Sequence, residues 1–128
     1  MFEKPEILGM SAAMAANAAS RLSAIAENVA NADTPGYRAK DVADFAESYH
    51  SEGGFQLAAT RPGHIPASPT AAYAAVSERA GGHLSPNGNN VSLEDEMMRM
   101  AAVRKDHDTA LAIYKKSLDI LRTSLGRR

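Results

Sequence analysis

Cysteine and tryptophan are absent from this chain of 128 residues, and aromatic residues make up only 5% of it. Without cysteine there are no disulfides and no thiolate metal centres, which leaves the compartment open. The shortage of aromatics removes the side chains that dominate core burial. The 45% hydrophobic content, in which alanine is the commonest member, therefore points to an elongated molecule rather than a compact one. Neither sign of charge prevails: 14 lysines and arginines face 15 acids, a net charge of -1. Such a balance provides no field for nucleic acid or an anionic membrane. The run of about 20 apolar residues that a membrane span needs is missing as well. The start, MFEKPEILGM, is acidic at Glu3 and Glu6 and has neither the basic opening nor the apolar stretch of a secretory signal. Departure from the cytoplasm is expected to proceed without a cleaved peptide of that kind.

Catalytic and ligand-binding patterns are equally scarce. His50, His64, His83 and His107 are not spaced as helical metal ligands. Asp106, His107 and Asp108 are consecutive, and on a helix they diverge by about 100° per residue. Gly81-Gly82 and Asn87-Gly88 lack the spaced glycines and the lysine of a phosphate loop. The expectation is a protein with no enzymatic activity, no cofactor or metal and no small-molecule substrate.

What the chain does have is helical periodicity at both ends. Alternate steps of three and four from Leu8 reach Ser11, Ala15, Ala18, Leu22, Ile25, Val29 and Ala32, a narrow seam on a helix from about Glu6 to Asn31. A second helix is predicted from SLEDEM onward. Ser92 is placed to cap it, Asp95 stands at the third helical position, and Glu94 and Glu96 put negative charge where the helix dipole favours it. Its seam is read as Leu93, Met97, Met100, Arg104, His107, Leu111, Tyr114, Leu118, Leu121 and Leu125. Between the helices, Ser51 to Asn90 holds four prolines and two glycine pairs, which argue against long regular elements. FQLAAT and YAAVSE are the possible strands of a small hairpin there.

The chain is thus expected to be mainly α. Residues 1–32 form one helix, 33–50 a turn and an extended segment, 51–90 a flexible middle loop, and 91–128 the second helix, all in one structural unit with the two helices paired in the manner of a coiled coil. Seams so rich in alanine are expected to need neighbouring molecules to complete their core.

The segment NVANADTPGYRAKD carries more distinctive residues than a turn requires. Thr34, Pro35 and Gly36 suffice for a type II turn, since proline sets φ at the second position and glycine accepts positive φ at the third. Asn28, Asn31 and Asp33 are suited to helix-end carbonyls and turn amides, and Tyr37 offers an apolar ring with a polar tip.

AENVANADTPGYRAKDV closely resembles the segment after the first helix in the bacterial flagellar axial proteins of the rod and hook. SPNGNNVSLEDEMMRMA, with Ser85, Pro86, Asn87, Gly88, Asn89 and Asn90 at its head, narrows the resemblance to the proximal rod. The resemblance implies a structural subunit of the flagellar basal body, exported through the flagellum-specific type III apparatus into a periplasmic rod. It also implies that the subunit polymerises through its terminal helices and serves motility. The implied partners are further copies, other rod subunits, the adaptor FliE, the inner-membrane ring protein and the export apparatus. The rival reading is a cytoplasmic coiled-coil adaptor, which would share the helices but would have no need of the two motifs.

Overall fold

The computed structural model describes residues 6–51, 76–79, 81 and 84–126. Two long helices dominate it: α1, Glu6–Ala30, and the terminal α3, Leu93–Ser124. A strand β1, Lys40–Val42, a short helix α2, Phe45–Ser51, and a strand β2, Val76–Glu78, come between them in sequence. β1 and β2 pair antiparallel with Lys40 opposite Glu78, Asp41 opposite Ser77 and Val42 opposite Val76.

Alanine, the strongest helix former, carries α1. α3 begins where Ser92, in an extended conformation, accepts a hydrogen bond from the Asp95 amide at 3.4 Å. Its first turn holds Glu94, Asp95 and Glu96 and its last turn Arg122, the charge order that the helix dipole favours. The chain leaves α3 through Gly126 at φ 77°, with the Leu125 amide still bonded to Leu121 O.

The helices run antiparallel. Asn28 near the end of α1 reaches Glu96 near the start of α3, Arg21 reaches Asp106, and Ile7 shares a shallow apolar groove with Ser117, Ile120 and Leu121. The hydrophobic core is small: Ala18, Ile25 and Val103, flanked by half-buried Leu22, Val29 and Met100. Serines take the place of larger groups toward the far end. Ser11 and Ser117 are buried, and each hydroxyl donates to a carbonyl of its own helix, Leu8 O and Ile113 O. A buried hydroxyl satisfied in this way lets two backbones approach without an orphaned polar group.

The strand expected at YAAVSE is represented by β2, which pairs with β1; FQLAAT lies outside the described residues. The expected looseness of the middle loop also falls largely outside them. α2 was not expected. Asp44 begins it by accepting from the Phe45 amide through its side chain and from Ser48 through its carbonyl.

Candidate functional site

The two distinctive motifs, some fifty residues apart in sequence, meet in one joint at the end of α1 that leads into α3. In the first, the Tyr37 amide bonds to Thr34 O at 3.3 Å and Gly36 sits at φ 72°, the geometry of a type II turn with Pro35 at its second position. In the second, the Gly88 amide bonds to Ser85 O at 2.8 Å with Pro86 and Asn87 between them, and Gly88 lies at φ 81°. The turns dock glycine to glycine. The Gly36 amide donates to Asn87 O at 3.0 Å, and a Cβ at Gly88 would stand 3.6 Å from the Gly36 Cα.

Three asparagine amides hold this joint. The Asn89 Nδ2 lies 2.9, 2.8 and 2.9 Å from the carbonyls of Asn31, Ala32 and Thr34, so one side chain caps the end of α1 from the opposite motif. Its Oδ1 accepts from the Val91 amide, which also shapes the entry to α3. The Asn90 Oδ1 accepts from the Ala39 amide at 2.6 Å. Asn28, fully buried, binds both backbone groups of Lys40: its Oδ1 accepts from Lys40 N and its Nδ2 donates to Lys40 O, each at 2.8 Å. An amide has a donor and an acceptor at the spacing of a peptide group, which an aspartate or leucine lacks.

The second proton of Asn28 Nδ2 goes to Glu96, whose carboxylate is wholly buried. Its other oxygen receives Arg79 Nη1 at 2.8 Å. Arg79 Nε stands 3.4 Å from Asp41 Oδ2, an electrostatic contact and not an aligned hydrogen bond, while Arg99 binds the same oxygen at 2.8 Å. Two carboxylates and two guanidiniums thus tie α1, β1, β2 and α3 together with their charges balanced.

Tyr37 is half-buried, and its hydroxyl donates to Asn28 Oδ1 at 3.3 Å. Burial raises its pKa above the usual tyrosine value, the negative charges of Glu27 and Glu96 add to that, and Lys40 partly opposes it. Lys40 is itself raised, chiefly by its hydrogen bond to Glu27. A hydroxyl held protonated by the fold stabilises it below the unfolded-state pKa, and that contribution is lost as pH rises through the folded-state value. Tyr37→Phe is expected to cost about 0.5 to 1.5 kcal/mol at neutral pH. It should also remove part of the stability loss seen above pH of about 10, checked by urea unfolding on both sides of that pH.

The remaining residues singled out in the sequence are placed as follows. Asn31 donates to Glu27 O and accepts from the Thr34 hydroxyl, whereas Asp33 and Pro35 are exposed. Ile25 is buried and Leu22 and Val29 are half-buried on the α3 side of α1. On α3 the buried row is Glu96, Val103, Ala110 and Ser117. Met100, Leu118 and Leu121 border it half-buried, and Met97 and Leu111 are exposed. The apolar seam read on α3 is therefore rotated from the row that faces α1. The buried positions of α1 are themselves mostly small or polar, Ser11, Asn17, Ala18, Ala24 and Asn28 beside Ile25. His107 is half-exposed, and Asp106 turns instead toward Arg21. Glu96 was read only as a helix-start charge. Its heptad spacing with Val103, Ala110 and Ser117 was the available signal, and the roles of Arg79 and Lys40 gave none. Among the described residues no cluster of histidine and carboxylate could hold a metal, and no helix is long and apolar enough to cross a membrane.

A pair of long helices joined by docked turns and a balanced network of charges has the character of a structural subunit. Residues 8–38, which cover most of α1 and the first turn, match the family model for flagella basal body rod proteins. Relatives named flagellar basal body rod protein FlgB match along most of their length. That of Salmonella typhimurium is 34% identical over 84% of this chain and 78% of its own. That of Cereibacter sphaeroides is 30% identical over 83% of each, and that of Agrobacterium fabrum 29% identical over 74% of each. The chain belongs to the FlgB family of flagellar basal body rod proteins, structural subunits of the basal body.

Proposed function

We propose that this rod subunit builds the proximal rod by packing the faces of α1 and α3 that a single molecule leaves uncovered against further copies and other rod subunits. The observation that carries this reading is the distribution of apolar residues on α3. Leu93, Met97 and Leu111 are exposed on one flank of the row facing α1, and Ile113 and Ile120 on the other. A lone helix pair has no use for two apolar flanks, whereas a helix packed among several neighbours buries both. Export through the flagellar type III apparatus, residence in the periplasmic rod and contacts with FliE and the inner-membrane ring protein belong to the same proposal and rest on the family likeness.

Leu111→Asp separates assembly from folding, because Leu111 is 48% exposed while Met100 packs on the core. In a strain lacking the protein, the variant is expected to be made at normal levels and to leave cells without swimming, since a charge buried unpaired at an interface is costly. Normal swimming would show that this flank remains in solvent.

A further inference from the structure

Asn87 is exposed, and it is the one asparagine of six that precedes a glycine; Asn17, Asn28, Asn31, Asn89 and Asn90 are followed by alanine, valine, alanine, asparagine and valine. We propose that Asn87 is a site of spontaneous deamidation, and that docking of the two turns holds the reaction off. In the reaction the backbone nitrogen of Gly88 attacks the Asn87 side-chain carbon. A new N–C bond closes a succinimide ring, the bond to Nδ2 breaks, and the amide nitrogen leaves as ammonia with the Gly88 proton. Water then opens the ring at either carbonyl, giving aspartate or isoaspartate. No oxidant, reductant or enzyme enters the balance. Glycine offers the attacking nitrogen the least hindrance, since the residue carrying it has no Cβ.

The second turn and its docking onto the first hold three of the groups this chemistry must move. The Gly88 amide, which has to lose its proton, donates to Ser85 O at 2.8 Å. The Asn87 side-chain carbon has to swing toward that nitrogen, and its oxygen Oδ1 is held by accepting from the Asn89 amide at 3.1 Å. The Asn87 carbonyl is pinned by the Gly36 amide at 3.0 Å, so the backbone rotation that brings nitrogen to side-chain carbon requires the turns to separate. The reaction therefore belongs to chains whose joint is open. Its isoaspartyl product lengthens the backbone by one carbon between Asn87 and Gly88, which moves Gly88 off Gly36 and pulls Asn89 from the three carbonyls it caps. Chains that stay undocked too long lose the ability to dock. This inference rests on the joint alone and stands apart from the rod reading.

The test is to incubate the full chain at mildly alkaline pH, folded in buffer and unfolded in urea, and to follow each asparagine by peptide mass mapping with separation of isoaspartyl peptides. Asn87 is expected to outpace the other five in urea and to slow by roughly tenfold or more in the folded chain, where reaction waits on local opening. Gly88→Ala should slow it in urea, where folding plays no part. Equal rates in buffer and urea, in a sample whose circular dichroism shows the helices, would overturn protection by docking. A denatured chain in which Asn87 does not lead, or is indifferent to Gly88→Ala, would overturn the site.

Discussion

Arg79→Leu is expected to lower the unfolding free energy by about 3 to 5 kcal/mol, the largest loss among single changes at the joint. The substitution leaves the wholly buried Glu96 carboxylate with the Asn28 amide as its remaining partner among the described residues. Coulomb attraction is strong in so sheltered a place, but the penalty for an unpaired ion there is stronger. The double variant Arg79→Leu with Glu96→Leu should recover most of the loss, because both charges then leave together. It should stop short of full recovery, since one proton of Asn28 Nδ2 remains unsatisfied at about 1 to 3 kcal/mol. Urea unfolding of the wild type, both single variants and the pair supplies the cycle. A loss under about 1 kcal/mol in Arg79→Leu would mean that the carboxylate gains water once the guanidinium is gone.

At Asn89 the two smallest chemical changes are expected to differ in an instructive order. Asn89→Ala removes the donor that spans the carbonyls of Asn31, Ala32 and Thr34 and the acceptor for Val91, at about 2 to 3 kcal/mol. Asn89→Asp is nearly isosteric and keeps that acceptor, yet it should be the worse of the two. It places an anion against three carbonyl oxygens at the negative end of the α1 dipole. If Asp proved milder than Ala, the bond to Val91 would be the important one and capping of α1 the minor one. Thermal unfolding of the two variants at neutral pH distinguishes the cases.

The long elements were legible because their signals are local. Alanine-rich periodicity marks α1, Ser92 with its following acids marks the start of α3, and Pro35-Gly36 marks the turn. The α1 face toward α3 also shows in the residues, since Ala18 and Ile25 combine helical spacing with apolar character. On α3 apolar character pointed to Leu93, Met97 and Leu111, but the facing surface of α1 decides which row fits, and that surface is known only once the helices are paired. The joint was half legible. Both motifs stood out, but that they touch, and that Asn89 caps the end of α1 by reaching the carbonyl of Asn31, 58 residues earlier, depends on long-range geometry with no trace in residue spacing. The pairing of β2 with β1 was hidden likewise, because three-residue strands are too short to show alternation.

The grip of Asn28 on both backbone groups of Lys40 has a further consequence for solubility. Peptide groups alternate sides along an antiparallel strand, so a two-stranded ribbon has two open edges onto which foreign chains can add. In this molecule the side of β1 away from β2 is plugged by a side-chain amide projecting from a helix. On the other strand, Val76, Ser77 and Glu78 are all exposed residues. Among the described residues no helix side chain binds the backbone of β2 as Asn28 binds that of Lys40, so an extended peptide that lengthens this ribbon is expected to add beside β2.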